Sequence, residues 1–257
     1  MATFIIALVA LLASALTFFS GFGLGTLLLP AFTLFYPIDV AVASTAVVHF
    51  LNGVFKLGLV GRHADRGAVV RFGLPAIAAA FAGAWLLVRL ADVRPLASYT
   101  VLGAEAQPHP VKIAVGLVML VAVVFEVVPR LANATVSLRW LPLGGAISGF
   151  LGGLSGMQGA LRSAFLVRLG LPKDAFIATG VVVAVLVDVS RLAVYSGGLY
   201  KQRLALDYLT LGAAVLAAFV GAVFGNKFLK KLTMRTVQRI VAGGLALVAA
   251  ALIAGLL

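Results

Sequence analysis

The chain has 257 residues, of which 63% are hydrophobic and 11% are charged, whereas soluble domains are about half apolar and about a quarter charged. This composition excludes a water-soluble fold. The 20 lysines and arginines outnumber the 8 acids, which gives a formal net charge of +12. In so apolar a chain we attribute the excess to basic loops that fix the topology and contact anionic lipids, not to nucleic acid binding. The lack of cysteine excludes disulfides and thiolate chemistry.

Apolar windows long enough for transmembrane helices follow one another almost from end to end. They cover residues 2–36, 40–60, 68–90, 113–128, 141–171, 175–195, 209–225 and 240–257. The first and fifth windows are too long for one helix and carry glycine clusters near their middles, so each is predicted to be a helical hairpin. The sequence therefore predicts an all-α polytopic membrane protein.

An internal repeat relates the two parts of the chain at an offset of 135 residues. The matched positions are Ser20-Gly21 with Ser155-Gly156, Pro37 with Pro172, Asp39 with Asp174, and Lys56 with Arg191. So many matches in one register are difficult to obtain by chance. We therefore predict two homologous halves, residues 1–130 and 131–257, within one integral membrane domain.

The charges of the loops predict that the two halves have opposite orientations. The loop 226–239 carries five basic residues and no acid, whereas its counterpart 89–112 carries three basic residues and two acids. Since basic loops stay in the cytoplasm, these two loops are expected on opposite sides of the membrane. Each half is predicted to be a glycine-broken hairpin plus three transmembrane helices, and the two form inverted repeats of the kind found in secondary transporters.

Four sequence segments carry a family resemblance. They are Ser-Gly-Phe-Gly-Leu-Gly-Thr at 20–26, Pro37-Ile-Asp39, the glycine-rich run 149–159 and Pro172-Lys-Asp174. With these segments the chain resembles the TauE/SafE family of membrane transporters over essentially its whole length. The resemblance implies export of sulfite or a small organosulfonate across the cell (inner) membrane by a multi-pass protein that is not an enzyme. It specifies the family well and the substrate poorly.

The glycine-broken tips of the two hairpins are predicted to form part of a substrate site. A helix break inside a bilayer is tolerated only where it is buried in protein or lines a cavity. The helices that begin after the breaks would direct backbone N–H groups and partial positive charge towards an anion. We assign Ser20, Gly21, Gly23, Ser155 and Gly156 to this site. In the alternative interpretation, the glycines only allow helices to pack closely.

Ionisable residues inside the apolar windows are the second group of candidates, because charges are costly there. His49, Asn52 and Lys56 have i, i+3 and i+7 spacing, which places them on one helix face. We predict that His49 and Asn52 contact substrate, and that His49, Lys56, Asp188 and Arg191 act in coupling or gating. The alternatives are packing for His49 and, for the two basic residues, extension to the membrane surface from a nearby helix end.

Gln158 and Arg162 complete the predicted substrate site. They have i, i+4 spacing on the second arm of the second hairpin, where the first half has the apolar Gly23 and Leu27. An arginine binds a sulfonate, sulfite or carboxylate through paired N–H donors, which lysine cannot reproduce. In the alternative, Asp188 neutralises Arg162, or Arg162 faces lipid headgroups.

Together these features predict a secondary transporter, an exporter of a small organic or sulfur oxyanion, that works by alternating access around a midplane site. An anion channel or a carboxylate permease with the same site remains the alternative. The three histidines have no metal-binding spacing and no nucleotide-binding motif occurs, so no metal or cofactor is expected. The sequence leaves open the exact substrate, the direction of transport, coupling to protons and the oligomeric state, a homodimer included.

Overall fold

A computed structural model describes residues 1–20, 23–101, 103–128, 138–202, 206–228 and 234–257. The helices in these ranges are α1 (Ala2–Ser20), α2 (Leu24–Thr33), α3 (Ile38–Val60), α4 (Leu74–Ala91), α5 (Pro110–Val127), α6 (Leu141–Ser155), α7 (Gly159–Leu166), α8 (Lys173–Gln202), α9 (Tyr208–Phe228) and α10 (Met234–Ile253). A short helix at Arg66–Ala68 and a π-helical turn at Val69–Gly73 lead directly into α4. The helical membrane protein that the composition predicts is confirmed.

Helix length separates two groups of apolar helices. Among the described residues, three segments are long and apolar enough to cross a membrane: Ile38–His63, Arg66–Ala91 and Lys173–Gly197. The remaining apolar segments are shorter and include Ala2–Thr17, Leu24–Thr33 and Leu141–Ser155 from the two glycine-broken windows. Since a full crossing needs about 20 residues, α2 with 10 residues and α6 with 15 residues are too short for a full span.

Both long windows break inside their glycine clusters, as the sequence predicts. The first window divides into α1 and α2 between Ser20 and Leu24, and the fifth divides into α6 and α7 between Ser155 and Gly159. Gly156 ends α6 with φ at +81°, the left-handed conformation that favours glycine. Three helices follow each broken pair, namely α3, α4 and α5 in the first case and α8, α9 and α10 in the second.

A small β-hairpin between α4 and α5 corrects the purely helical prediction. Its strands are β1 (Tyr99–Val101) and β2 (Ala104–Ala106), which pair antiparallel with Tyr99 opposite Ala106. The Tyr99 hydroxyl donates a hydrogen bond to the carbonyl oxygen of Ala254, 2.7 Å away, beyond the end of α10. The hairpin therefore ties the loop after α4 to the C-terminal end of the chain.

Two of the closest helix pairs each join one helix from residues 1–130 to one helix from residues 131–257. α1 packs along α9, and α6 packs along α4. α1 is the first helix of the first broken pair, and α9 is the second of the three helices that follow the second broken pair. In the same way, α6 is the first helix of the second broken pair, and α4 is the second of the three helices that follow the first. α3 packs against α8, and α5 packs against α10, so these two contacts join helices at equivalent positions in the chain. α8 also packs against α4.

The contact between α6 and α4 is made backbone to backbone. Gly145, Gly149 and Gly153 follow one another at four-residue intervals on α6, and a Cβ at any of them would lie 2.1–2.2 Å from a carbonyl oxygen of the α4 segment. The oxygens belong to Phe72, Ala76 and Ala80, which have the same spacing. Small residues at this spacing let membrane helices approach closely. The α1 and α9 pair contains one such contact, between Gly221 and the carbonyl of Leu11.

Candidate functional site

A cavity of about 60 Å³ lies between the two helix breaks, α3 and α8. It is lined by Thr17, Gly23, Leu24, His49, Asn52, Gly53, Lys56, Arg162, Val181 and Ala184. Since one water molecule needs about 10–15 Å³ of such space, the cavity has room for about four waters or for one small anion. We call it the central cavity.

Two helices begin at the central cavity, one from each broken pair. The N-cap of α2 is Gly23 and the N-cap of α7 is Gln158, and neither makes a side-chain capping hydrogen bond. A Cβ on Gly23 would lie 3.4 Å from the backbone nitrogen of Gly159, so the two helix starts are adjacent. Because the N-terminal turn of a helix carries partial positive charge, this arrangement favours an anion in the cavity.

The polar face of α3 lines the central cavity, as its spacing predicts. His49, Asn52 and Lys56 all belong to the lining and all are buried. Lys56 is only 8% exposed although α3 ends four residues later, at Val60. The alternative in which Lys56 extends to the membrane surface is therefore wrong.

Asn52 joins three helices at the edge of the cavity. The Ser14 hydroxyl oxygen of α1 lies 3.1 Å from the nearer terminal atom of the Asn52 amide. When the amide nitrogen is oriented to donate to the carbonyl of Ala218 on α9, at 3.3 Å, the amide oxygen accepts from Lys56 Nζ at 3.2 Å. Asn52 thus positions the Lys56 ammonium group in the cavity wall.

Asp188 is the centre of a buried charge cluster that links α3 to α8. Its Oδ2 lies 2.5 Å from His49 Nδ1, and its Oδ1 accepts from Arg191 Nε at 2.9 Å. Arg191 Nη2 is 2.8 Å from the same Oδ1. Asp188 and Arg191 are both fully buried.

The position of Arg191 corrects the predicted end of its helix. The hydropathy window ended at residue 195, but α8 continues to Gln202. Arg191 therefore lies well inside the helix and is enclosed by protein, so the alternative in which it extends to the membrane surface is wrong. The polar residues after 195 lower the hydropathy without ending the helix, because helix formation does not require apolar side chains.

Arg162 enters the central cavity from α7. It is 8% exposed, and its Nη1 has no hydrogen-bond partner among the described residues. Both carboxylate oxygens of Asp188 bind His49 and Arg191, so Asp188 makes no direct ion pair with Arg162 and acts on it only through its charge at longer range. A buried guanidinium with an unused N–H group needs an acceptor, because an unsatisfied buried donor is costly.

Three of the predicted site residues, Ser155, Gly156 and Gln158, lie at the second helix break and do not belong to the cavity lining. The Ser155 hydroxyl donates to the carbonyl of Leu151 at 3.0 Å and accepts from the backbone N–H of Met157 at 3.2 Å. A Cβ on Gly156 would lie 2.4 Å from Arg191 Nη1, so the guanidinium packs directly on the break. Gln158 is 1% exposed, and its amide atoms have no hydrogen-bond partner among the described residues.

The first break is less completely described. Gly21 and the side chain of Ser20 lie outside the described residues, so their predicted contact with substrate stays a prediction. Gly23 lines the central cavity, in agreement with its assignment.

The sequence analysis missed two hydroxyl residues on α1. Ser14 is fully buried and contacts Asn52, and Thr17 lines the central cavity. Their signal in the sequence is a pair of hydroxyls three residues apart on an otherwise apolar helix, which places them on one face.

A second cavity, of about 540 Å³, lies at the start of α3. Its lining includes Asp39, His109 and Lys112 together with apolar residues of the loop between α2 and α3. Asp39 is ten residues before His49, or about 15 Å along the helix axis. The buried charged residues that the sequence predicts converge on the small cavity, so size alone does not identify the candidate site.

Buried charged side chains that converge on one cavity, between helices broken inside an apolar bundle, define a membrane transport protein. The family follows from comparison with known proteins. A family model described as "Sulfite exporter TauE/SafE" matches residues 6–252, and the chain belongs to this family. Its members are membrane transporters of the sulfite or anion type and are not enzymes. No curated protein and no solved structure gives a significant match.

Proposed function

We propose that the protein is a secondary transporter that exports a small organic or sulfur oxyanion, such as sulfite or a short-chain sulfonate, through the central cavity. The observation that carries the proposal is that Lys56 and Arg162 both line this cavity. Arg162 Nη1 is buried and has no acceptor among the described residues, and a buried N–H donor without an acceptor is costly. A substrate anion supplies this acceptor.

The direction follows from the membrane potential. A cytoplasm that is negative inside drives an anion outward by about 2.3 kcal/mol per charge for each 100 mV. Export of an anion therefore needs no coupled ion, whereas uptake would require one. This supports an exporter in the cell (inner) membrane.

Alternating access of two inverted halves is the mechanism that we propose. The repeat at 135 residues and the exchange of partners between the α1 and α9 pair and the α6 and α4 pair support it. Each half contributes one helix start to the cavity, at Gly23 and at Gln158. Rocking one half against the other would open the cavity to each side of a multi-pass protein in turn.

We place gating in the cluster of His49, Asp188 and Arg191. His49 belongs to the first half, whereas Asp188 and Arg191 belong to the second. A movement of α3 relative to α8 would separate the His49 imidazole from the Asp188 carboxylate. The imidazole would then be available to a proton, which makes His49 the residue through which protons would be coupled.

The transport function is tested by sulfite counterflow in vesicles that contain the purified protein. Arg162→Lys should lose most of the activity, because lysine keeps the charge but not the paired N–H donors. Arg168→Lys is the matched control, since Arg168 Nε donates to the carbonyl of Ala164 at 2.8 Å and lies outside the cavity. Equal and mild losses in both variants would remove Arg162 from the site. Anion conductance without counterflow would indicate a channel.

The inverted topology is tested by labelling of introduced cysteines, which the chain otherwise lacks. Arg66 and Leu209 are exposed and lie in the turns that begin the α4 segment and α9. Arg66→Cys should react with an impermeant reagent from the cytoplasmic side and Leu209→Cys from the outside. Reaction of both from the same side would contradict the inverted arrangement.

A further inference from the structure

A hydrogen-bond network joins the two halves of the chain where α9 begins. Asp207, just before α9, accepts from the Tyr36 hydroxyl at 2.8 Å. The same carboxylate accepts from the Thr210 hydroxyl at 2.6 Å and from the Thr210 backbone N–H at 3.0 Å. The Thr210 hydroxyl oxygen also lies 2.7 Å from that of Thr3 and 3.3 Å from that of Tyr36. Two residues of the first half therefore contact two residues of the second.

This network brings both ends of the first broken helix pair to one place. Thr3 lies at the start of α1, and Tyr36 follows the end of α2 by three residues. Because both contact Thr210, α1 runs from this place to the helix break and α2 returns from the break. The pair thus enters and leaves the bundle on the face where α9 begins, which we call the α9-start face. In the proposed topology this is the outer face.

The central cavity lies at the opposite end of α1. Thr17 lines this cavity and follows Thr3 by about 21 Å along the helix axis. Over this length α1 packs along α9. At the edge of the cavity, Asn52 contacts Ser14 of α1 and Ala218 of α9. The α1 and α9 pair therefore connects the α9-start face with the cavity, and the hydrogen-bond network holds its outer end together.

The network belongs to one face only. At the offset of the repeat, 135 residues after Thr3 and Tyr36, the chain has Leu138 and Leu171. Leucine has no hydroxyl, so the second half does not repeat these hydrogen bonds. A contact that is needed only to hold the fold together would serve both halves equally, whereas a gate on one face needs no copy on the other.

Resting on the proposed function, we propose that Thr3, Tyr36, Asp207 and Thr210 form a latch that closes the α9-start face. The latch holds the start of α1 and the end of α2 against α9. Its hydrogen bonds must break before α1 and α9 separate and the central cavity opens to this face. For an exporter, the latch is the gate on the exit side, and it acts in addition to the cluster of His49, Asp188 and Arg191.

The reactivity of a cysteine in the central cavity tests the latch without any substrate. Thr17→Cys gives the cysteine-free chain a single thiol in the cavity lining. Its rate of reaction with a small impermeant methanethiosulfonate is measured in right-side-out and in inverted membrane vesicles, and Leu209→Cys identifies the α9-start face. Adding Tyr36→Phe should raise the rate from this face by about fivefold or more and lower it from the other. The removed hydrogen bond has a charged acceptor and is worth about tenfold in an equilibrium constant.

Thr33→Val is the matched control for the loss of a hydroxyl. The Thr33 hydroxyl donates to the carbonyl of Pro30 at 2.8 Å, within α2, and the residue lies three positions before Tyr36. Adding Thr33→Val should leave both rates unchanged. Rates that are unchanged in the Tyr36→Phe protein, or that change by the same factor from both faces, would overturn the latch, because a loss of stability alone does not favour one face.

A reversible cross-link provides the second test. The double variant Thr3→Cys with Thr210→Cys replaces two hydroxyls whose oxygens are 2.7 Å apart. Oxidation with copper phenanthroline should join α1 to α9 and abolish sulfite counterflow, and dithiothreitol should restore it. Full counterflow in the cross-linked protein would overturn the latch. This test decides the inference if the Tyr36→Phe protein does not fold. Absence of sulfite counterflow in wild type would instead contradict the proposed function, and the labelling rates would then decide the latch.

Discussion

Gly25 of α2 and Gly156 at the end of α6 are in direct backbone contact. A Cβ on Gly25 would lie 2.7 Å from the carbonyl oxygen of Gly156, which is closer than a carbon atom approaches an oxygen without displacement. Gly156 in turn supports the guanidinium of Arg191. A chain of contacts therefore runs from the first helix break, through the second, to the buried charge cluster.

Gly25→Ala should separate the two breaks. The neighbouring atom is backbone and has no rotamer to change, so we expect a loss of about 1–3 kcal/mol in stability and reduced sulfite counterflow. Gly212→Ala on α9 is the control, because nothing lies within 4 Å of its Cβ position, and alanine there should be neutral or stabilising by up to about 1 kcal/mol. Thermal unfolding in detergent measures both. Identical melting temperatures for the two variants would refute the contact.

Asp188→Asn should be strongly destabilising. It leaves the fully buried Arg191 without its carboxylate, and loss of one partner of a buried ion pair costs about 3–5 kcal/mol. Asp174→Asn is the control, since Asp174 is exposed in the first turn of the same helix. The double variant Asp188→Asn with Arg191→Gln should recover part of the loss, because no uncompensated charge remains. A double variant less stable than Asp188→Asn alone would argue against the pairing. Chemical or thermal unfolding provides the comparison.

Asp207 should make stability depend on pH at the acidic end of the range. Its carboxylate accepts from the Thr210 hydroxyl at 2.6 Å, the Thr210 backbone N–H at 3.0 Å and the Tyr36 hydroxyl at 2.8 Å. These hydrogen bonds, with those from Thr210 the strongest, lower the pKa of Asp207 to about 2. Asp207 is only partly buried, so solvent screens the interaction and the effect is modest.

The sign follows from the lowered pKa. The stabilisation is present above the pKa of an unfolded aspartate, about 3.9, and is lost as the pH falls towards about 2. Wild type should therefore melt at a higher temperature than Asp207→Asn at neutral pH, and the difference should shrink between about pH 4 and pH 2. Melting curves over this interval test it. A difference that stays constant with pH would mean that Asp207 acts through packing.

The features that could be predicted from the sequence are those with a local physical signal. Glycine clusters indicate helix breaks because few other residues adopt the conformation of Gly156, with φ at +81°. The spacing of His49, Asn52 and Lys56 indicates a common face because a helix has 3.6 residues per turn. These signals placed both breaks and the polar wall of the cavity correctly.

The features that the sequence did not reveal depend on tertiary neighbours. Ser14 binds Asn52, 38 residues away in the chain, but a serine in a membrane helix more often bonds to its own backbone. Likewise, Ser155 falls at the predicted break, yet its hydroxyl is used by Leu151 and Met157. The surrounding helices determine which polar groups at a helix break form hydrogen bonds within the break and which remain available to a ligand.

The glycine contacts between α6 and α4 imply that the two helix pairs joining the halves differ in how easily they slide. With backbone against backbone at Gly145, Gly149 and Gly153, α6 has little room to slide along α4, so this pair is the tighter of the two contacts. The α1 and α9 pair has a backbone contact of this kind at Gly221, and its other buried residues include Ala10 and Ala218. When the two halves rock against each other, the contact between α6 and α4 should therefore act as the pivot, and the larger displacement should occur between α1 and α9.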